Sequence, residues 1–326
     1  MRAASSGRAA AFLRGLLIVI VLENRQGKDV TTSLAAIRES QNLSRRSAGP
    51  VSRRRENHGG GDGTRGSLRG FAMNCAEILQ LLASRPDPHA VEGMARFGIV
   101  AKKVYGGWST PALKKLAREI GSHHALAQEL WASEIHEARA LATLIDEPEK
   151  VTQRQMNQWA KDFDNWAVCD GACINVFRYT RFAHQKCVEW SARPEEFVKR
   201  AAFALMAGLA VADKAASDDA FLKFLPLVKR AAVDERNMVK KGVNWALRQI
   251  GKRNARLNRA ALAAADEIHR LDSRAARWIA SDARRELQSP AVQRRLKMRR
   301  AAGKRRGRQE AGSRARTDRF QAEPLK

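Results

Sequence analysis

Between Met73 and about Leu287 the pattern is helical almost throughout, and no segment carries the alternation of a strand. Ala, Leu, Glu, Lys, Arg and Gln dominate, the residues that lose least freedom on entering a helix. No Asn-Gly hairpin turn occurs. The punctuation is local. Ser109-Thr110-Pro111 opens a helix over 112–120, Gly121 stops it, and Ser122 opens the next, to about Ala132. Further helices are expected over 134–145, 152–163, 165–177, 182–190, 194–212, 218–233, 237–251, 257–271 and 273–287. Connections of only a few residues favour antiparallel neighbours.

The helices show weak self-similarity. Arg139-Ala140-Leu141, Arg200-Ala201-Ala202, Lys241-Gly242-Val243 and Arg274-Ala275-Ala276 each put a basic residue ahead of small or apolar ones. The later spacings approach roughly 40 residues, the two-helix HEAT/armadillo period, and the longer 139–200 interval leaves room for a divergent unit. Such units bury their faces on one another and curve into a solenoid. The expected fold is therefore all-α, a HEAT-like helical-repeat solenoid over 73–288. Disordered, basic segments are expected to flank it at 1–72 and 289–326. A compact helical bundle is the alternative.

Charge narrows the partner. Lys and Arg number 60 against 34 Asp and Glu, a net +26, and both flanks and the body share the excess. This favours a polyanion, nucleic acid or an acidic membrane surface. No stretch reaches the length of a membrane-spanning helix. The apolar run Leu16–Leu22 behind Arg2, Arg8 and Arg14 resembles a short signal core without an A-x-A site, and Met73 opens the first well-patterned segment. Four cysteines give no disulfide framework, consistent with a reducing, cytoplasmic setting. Cys169, Cys173, His184 and Cys187 could offer a zinc ligand set, but the spacing lacks the usual tight C-x2-C loop.

Two tryptophan clusters carry the candidate chemistry. Trp166 and Asp170 stand four apart and share a helix face. A carboxylate beside an indole can stabilise a developing cation and orient water. Against this, a tryptophan is usually core and an aspartate usually solvated. In the second cluster Trp245 and Arg248 share a face, with Lys240, Lys241 and Lys252 nearby. With Lys199 and Arg200 they would line a phosphate-binding groove; ordinary surface charge is the competing reading. His136, Glu137 and Arg139 suit a structural role, the latter two in inter-helix ion pairs. No nucleotide-binding loop or nucleophile elbow is present.

His136-Glu137-Ala138-Arg139, Trp166…Asp170, Lys199-Arg200-Ala201-Ala202 and Trp245-Ala246-Leu247-Arg248, in this order, resemble the AlkD-like DNA alkylation repair family of HEAT-like glycosylases, over about Val91 to Leu287. The resemblance implies excision of cationic alkylated purines such as 3-methyladenine and 7-methylguanine from double-stranded DNA. It implies Asp170 as the catalytic carboxylate, Trp166 and Trp245 beside the lesion's sugar, and Arg200 and Arg248 on the DNA backbone. It also implies no flipping of the base into a pocket, unlike the usual route. The expected protein is a monomer acting in the bacterial cytoplasm at the nucleoid. The chemistry calls for no metal or cofactor, because an alkylated purine is already a good leaving group and one carboxylate can offset the oxocarbenium charge. Two other readings stand beside it: a noncatalytic nucleic-acid-binding scaffold, and a protein-interaction solenoid with incidental charge.

Overall fold

The computed structural model describes residues 73–299 and 301; the expected flank 1–72 lies outside them, as do residues 300 and 302–326 of the expected flank 289–326. Most described residues are helical, joined by short turns apart from the longer connection over 97–109, with only two isolated bridges, Pro86 to Gly106 and Lys103 to Ile135. The helices are α1 (Cys75–Ala83), α2 (Pro88–Arg96), α3 (Thr110–Ile120), α4 (His124–Ala132), α5 (His136–Ile145), α6 (Gln153–Lys161), α7 (Trp166–Asn175), α8 (Ala183–Ser191), α9 (Glu196–Ala212), α10 (Asp218–Leu222), α11 (Leu225–Ala231), α12 (Asn237–Gly251), α13 (Ala255–His269) and α14 (Arg274–Leu287). A last helix, α15, runs through 290–299. None is long and apolar enough to cross a membrane.

Side-chain caps set many of the starts. Asn165 accepts from the amides of Ala167 and Val168 to open α7, Asn254 from Leu257 to open α13, and Ser273 from Ala276 to open α14. The α12 boundaries match the sequence expectation residue for residue. Elsewhere three expectations fail. His123, not Ser122, caps α4, its ring nitrogen accepting from the Leu126 amide. Glu134 does not open α5: it takes a left-handed φ of 63°, its carboxylate is paired with Lys103, and α5 begins two residues later. The helix expected over 218–233 is two, because Pro226 has no amide to continue α10 and sits well only in the first turn of α11.

α5, α7, α9, α12 and α14 pack side by side in sequence order, forming one layer like the rungs of a ladder. α4, α8, α11 and α13 back this layer, which is the two-helix repeat expected. α7 is the divergent unit that the 139–200 interval conceals. The fourth position after its first residue, where α9 has Arg200 and α12 has Lys241, holds Asp170.

α9 is the centre of the core. Residues 200–210 are all buried, because α9 is enclosed by α7, α8 and α12. Its many alanines let those neighbours approach closely. An aromatic spine supports the backing layer: Trp131 stacks on Trp159 at 3.9 Å, and Phe177 bridges Trp159 to Trp190 at about 6 Å between ring centroids. Over 290–299 the expected tail is instead helix α15, which buries Val292 and Leu296, and Arg299 donates to the carbonyls of Lys252 and Arg253.

Candidate nucleic-acid site

Asp170 lies in the middle of α7 and is 6% exposed. Arg200 of α9 grips it in a bidentate pair, Nε to Oδ1 at 2.9 Å and Nη2 to Oδ2 at 2.7 Å. The same guanidinium donates to the Met238 carbonyl of α12 at 2.7 Å. Arg200 thus ties three successive rungs together at the level of Asp170. Gly242 packs against it: a Cβ there would stand in ordinary contact, 3.5 Å from the Arg200 Cγ. Burial pushes the Asp170 carboxyl above the usual aspartate range, and the Arg200 charge and hydrogen bonds oppose that shift.

Trp166 opens α7 one turn before Asp170, on the same face, and is partly buried. Its Nε1 donates to the Phe97 carbonyl at 2.9 Å. Phe97 begins a segment strapped to α5 by a buried carboxylate, since Glu137 accepts from the amides of Tyr105 and Gly106. Glu137 therefore binds backbone amides rather than the inter-helix ion pair expected of it. Arg139 donates instead to the Trp131 and Asp162 carbonyls. His136 is buried beside Asn165, the cap of α7, in keeping with a structural role. Trp245 is half-buried on α12, three residues beyond Gly242, and packs on the core.

The cations expected on phosphate divide into two sets. Arg200, Arg248 and Lys252 are buried and already face carboxylates, a departure from the expectation. Arg248 of α12 and Lys252, which caps its C-terminus, both bind Glu286 of α14, Lys252 at 2.7 Å, while neighbouring Asn244 donates to Asp282 at 2.7 Å. A buried charge needs a counter-charge, and adjacent rungs supply it. Lys240 and Lys241 are more open. Lys241 is an exposed residue whose ammonium is partly enclosed; that enclosure, then the charges of Arg200 and Lys240, push it below the usual lysine range. Like charges crowded this way favour an anion between them.

Lys199 is held at 3.1 Å by Asp234, which Arg236 also pairs at 2.7 Å. These partners, the Arg236 hydrogen bond first, depress the Asp234 carboxyl from 3.8 to about 2. A lowered folded-state value gives stability that is full above the unfolded aspartate value and lost as pH falls through the folded one. Asp234→Asn is therefore expected to cost about 2 kcal/mol at pH 7 and roughly half that at pH 3. Urea midpoints of both proteins at the two pH values check this; an equal cost at both would contradict it.

The cysteines and His184 do not gather as a ligand set. Cys169 and Cys173 donate to the Phe197 and Ala201 carbonyls, and His184 pairs with Asp213 at 3.0 Å. Among the described residues no group of three or more His, Cys, Asp or Glu is placed to hold a metal ion.

Among the exposed aromatics that the sequence did not single out, one sits on the repeat layer. Trp278 on α14 is 43% exposed, with the Lys240 ammonium 5.3 Å from its ring centroid. Its sequence signal was the spacing to α12. Glu235 to Ser273, Asn244 to Asp282 and Arg248 to Glu286 are each 38 residues apart, and Lys240 to Trp278 has the same offset.

A model of the DNA alkylation repair enzyme family matches residues 78–287, well over half of the chain. The chain belongs to that family. No curated protein matches it at a significant level. Among solved structures it is similar to a protein described as one of a new family related to the HEAT-like repeat DNA glycosylases with affinity for branched DNA structures. The identity is 19%, the TM-score 0.55, and the match covers 65% of this chain and 95% of that one. That likeness identifies the fold as the HEAT-like helical repeat. A designed armadillo repeat protein matches more loosely, at 17% identity and a TM-score of 0.29, over 65% of this chain and 91% of its own. Membership makes this a DNA alkylation repair protein by family, built on a HEAT-like fold.

Proposed function

We propose that the protein is a DNA glycosylase that hydrolyses the N-glycosidic bond of cationic alkylated purines, 3-methyladenine and 7-methylguanine among them, in duplex DNA. The observation carrying this is a buried carboxylate, Asp170, held in one orientation by Arg200, with the partly open indole of Trp166 one helical turn away on the same face.

Alkylation makes the purine a cation, so the C1′–N bond breaks with both electrons leaving on a base that becomes neutral. Positive charge then builds on the sugar. Asp170 would offset that charge and hold a water, whose oxygen bonds to C1′ as its proton passes to the carboxylate or solvent. Trp166 and Trp245 would flank the sugar, their π-faces adding to the attraction for a cation. Lys240 and Lys241 are the cations best suited to phosphates, and Lys199 could join them at the cost of its Asp234 pair. Arg200, Arg248 and Lys252 act in this reading by holding carboxylates and the rung spacing. The working unit is a single chain on double-stranded DNA.

A second reading, noncatalytic binding of nucleic acid, draws on two points. The Asp170 carboxylate already receives two guanidinium hydrogen bonds, and the solved structure with the same fold is described by its affinity for branched DNA. Incubating the purified protein with methylated duplex DNA and separating the freed bases by chromatography decides between them. The glycosylase reading expects 7-methylguanine and 3-methyladenine in the supernatant and abasic sites in the DNA. Binding without any base release would leave the scaffold.

A further inference from the structure

Tryptophan is seldom left open on a helix unless something covers it. Trp278 is 43% exposed although the residues around it on α14, Ala275, Ala276, Ile279 and Ala280, are buried. It follows Arg274 and Arg277 on the exposed stripe of that helix. Across the seam to α12 it meets Lys240, whose ammonium is 5.3 Å from the ring centroid. Lys240 also adjoins Lys241, whose titration responds to its charge. The seam is the one that sets Asn244 against Asp282 and Arg248 against Glu286, so the position of the indole is fixed by a paired interface rather than by a mobile end.

An open aromatic face joined to a cation matches the two chemical parts of a nucleotide, a flat base and an anionic phosphate. A base inside a continuous duplex has both faces covered by its neighbours. A projecting indole can stack only on a base that has lost one. We propose that Trp278 and Lys240 form a stacking subsite for an unpaired nucleotide, one rung beyond Trp245 in the same layer. The inference rests on the reading that DNA binds this layer, and it adds a strand-state preference that the lesion chemistry does not contain.

Anisotropy titrations of the full chain with labelled DNA test it, using an intact duplex and the same duplex carrying a short single-stranded gap. Trp278→Ala should bind the gapped DNA about tenfold more weakly while its duplex affinity stays within about twofold, since loss of one stacked base is felt only where a base is free. Trp278→Phe should recover most of the gap affinity. Trp278→Lys, which keeps a solvated surface and adds charge, should bind duplex at least as well as the parent yet lack the gap preference. Equal losses on both DNAs, or none on the gapped one, would overturn the subsite. If the parent also releases methylated bases, that result removes the subsite alone. If the parent binds neither DNA, the underlying reading falls with it.

Discussion

Asp170→Asn is expected to abolish release of 7-methylguanine from methylated duplex DNA while leaving duplex affinity within about threefold of the parent. The substitution keeps the volume and removes the charge. Arg200 can still donate to the amide oxygen, but one of its two bonds would then face an amide NH2. The step that suffers is the build-up of positive charge on the sugar, and removing one preorganised electrostatic partner costs about 10²–10³-fold in rate. Binding depends mainly on phosphate contacts by other groups and so persists. Single-turnover base release and anisotropy titration, with circular dichroism to confirm the fold, separate the two effects. Undiminished release by Asp170→Asn would remove Asp170 from the chemistry.

Arg200→Met should lower stability by about 3–5 kcal/mol, the effect expected when a buried pair loses one partner. It strands a buried carboxylate and removes the hydrogen bond to the Met238 carbonyl, so α7, α9 and α12 lose a shared tie. The double variant Arg200→Met with Asp170→Asn should regain part of the loss, because the orphaned charge is gone. Urea unfolding of the single and double variants measures this directly. A loss under about 1 kcal/mol for Arg200→Met, or no recovery in the double variant, would mean that the pair is loosely held and exchanges with water.

The fold was largely legible because helix signals are local. Caps, glycines and prolines fixed most boundaries to within a few residues, and α12 was found complete. The failures have local causes too: Pro226 divides a helix, Glu134 adopts a conformation that sequence periodicity does not reveal, and α15 continues beyond the expected boundary. For the candidate site, the sequence supplies residue names but not their surroundings. Asp170, Trp166 and Trp245 were named from spacing and resemblance. Which cations face solvent depends on rung-to-rung register, and neither the Arg200 partner 30 residues away nor the Arg248 partner 38 residues away is visible from one helix alone. Trp278 escaped notice because an aromatic in an amphipathic helix reads as core until the face it occupies is known.

The recurrence of one offset along the α12–α14 seam bears on how such a chain tolerates changes in length. Three separate contacts keep time with the same 38-residue interval. An insertion or deletion of one residue inside α13 or α14 would rotate all that follows by about 100°. Buried Arg248 would then face Leu287 after a deletion or Arg285 after an insertion in place of Glu286, and the mispairing would repeat at the other contacts along the seam. The turns at 252–254 and 270–273 are therefore where length variation can be absorbed without dephasing the rungs.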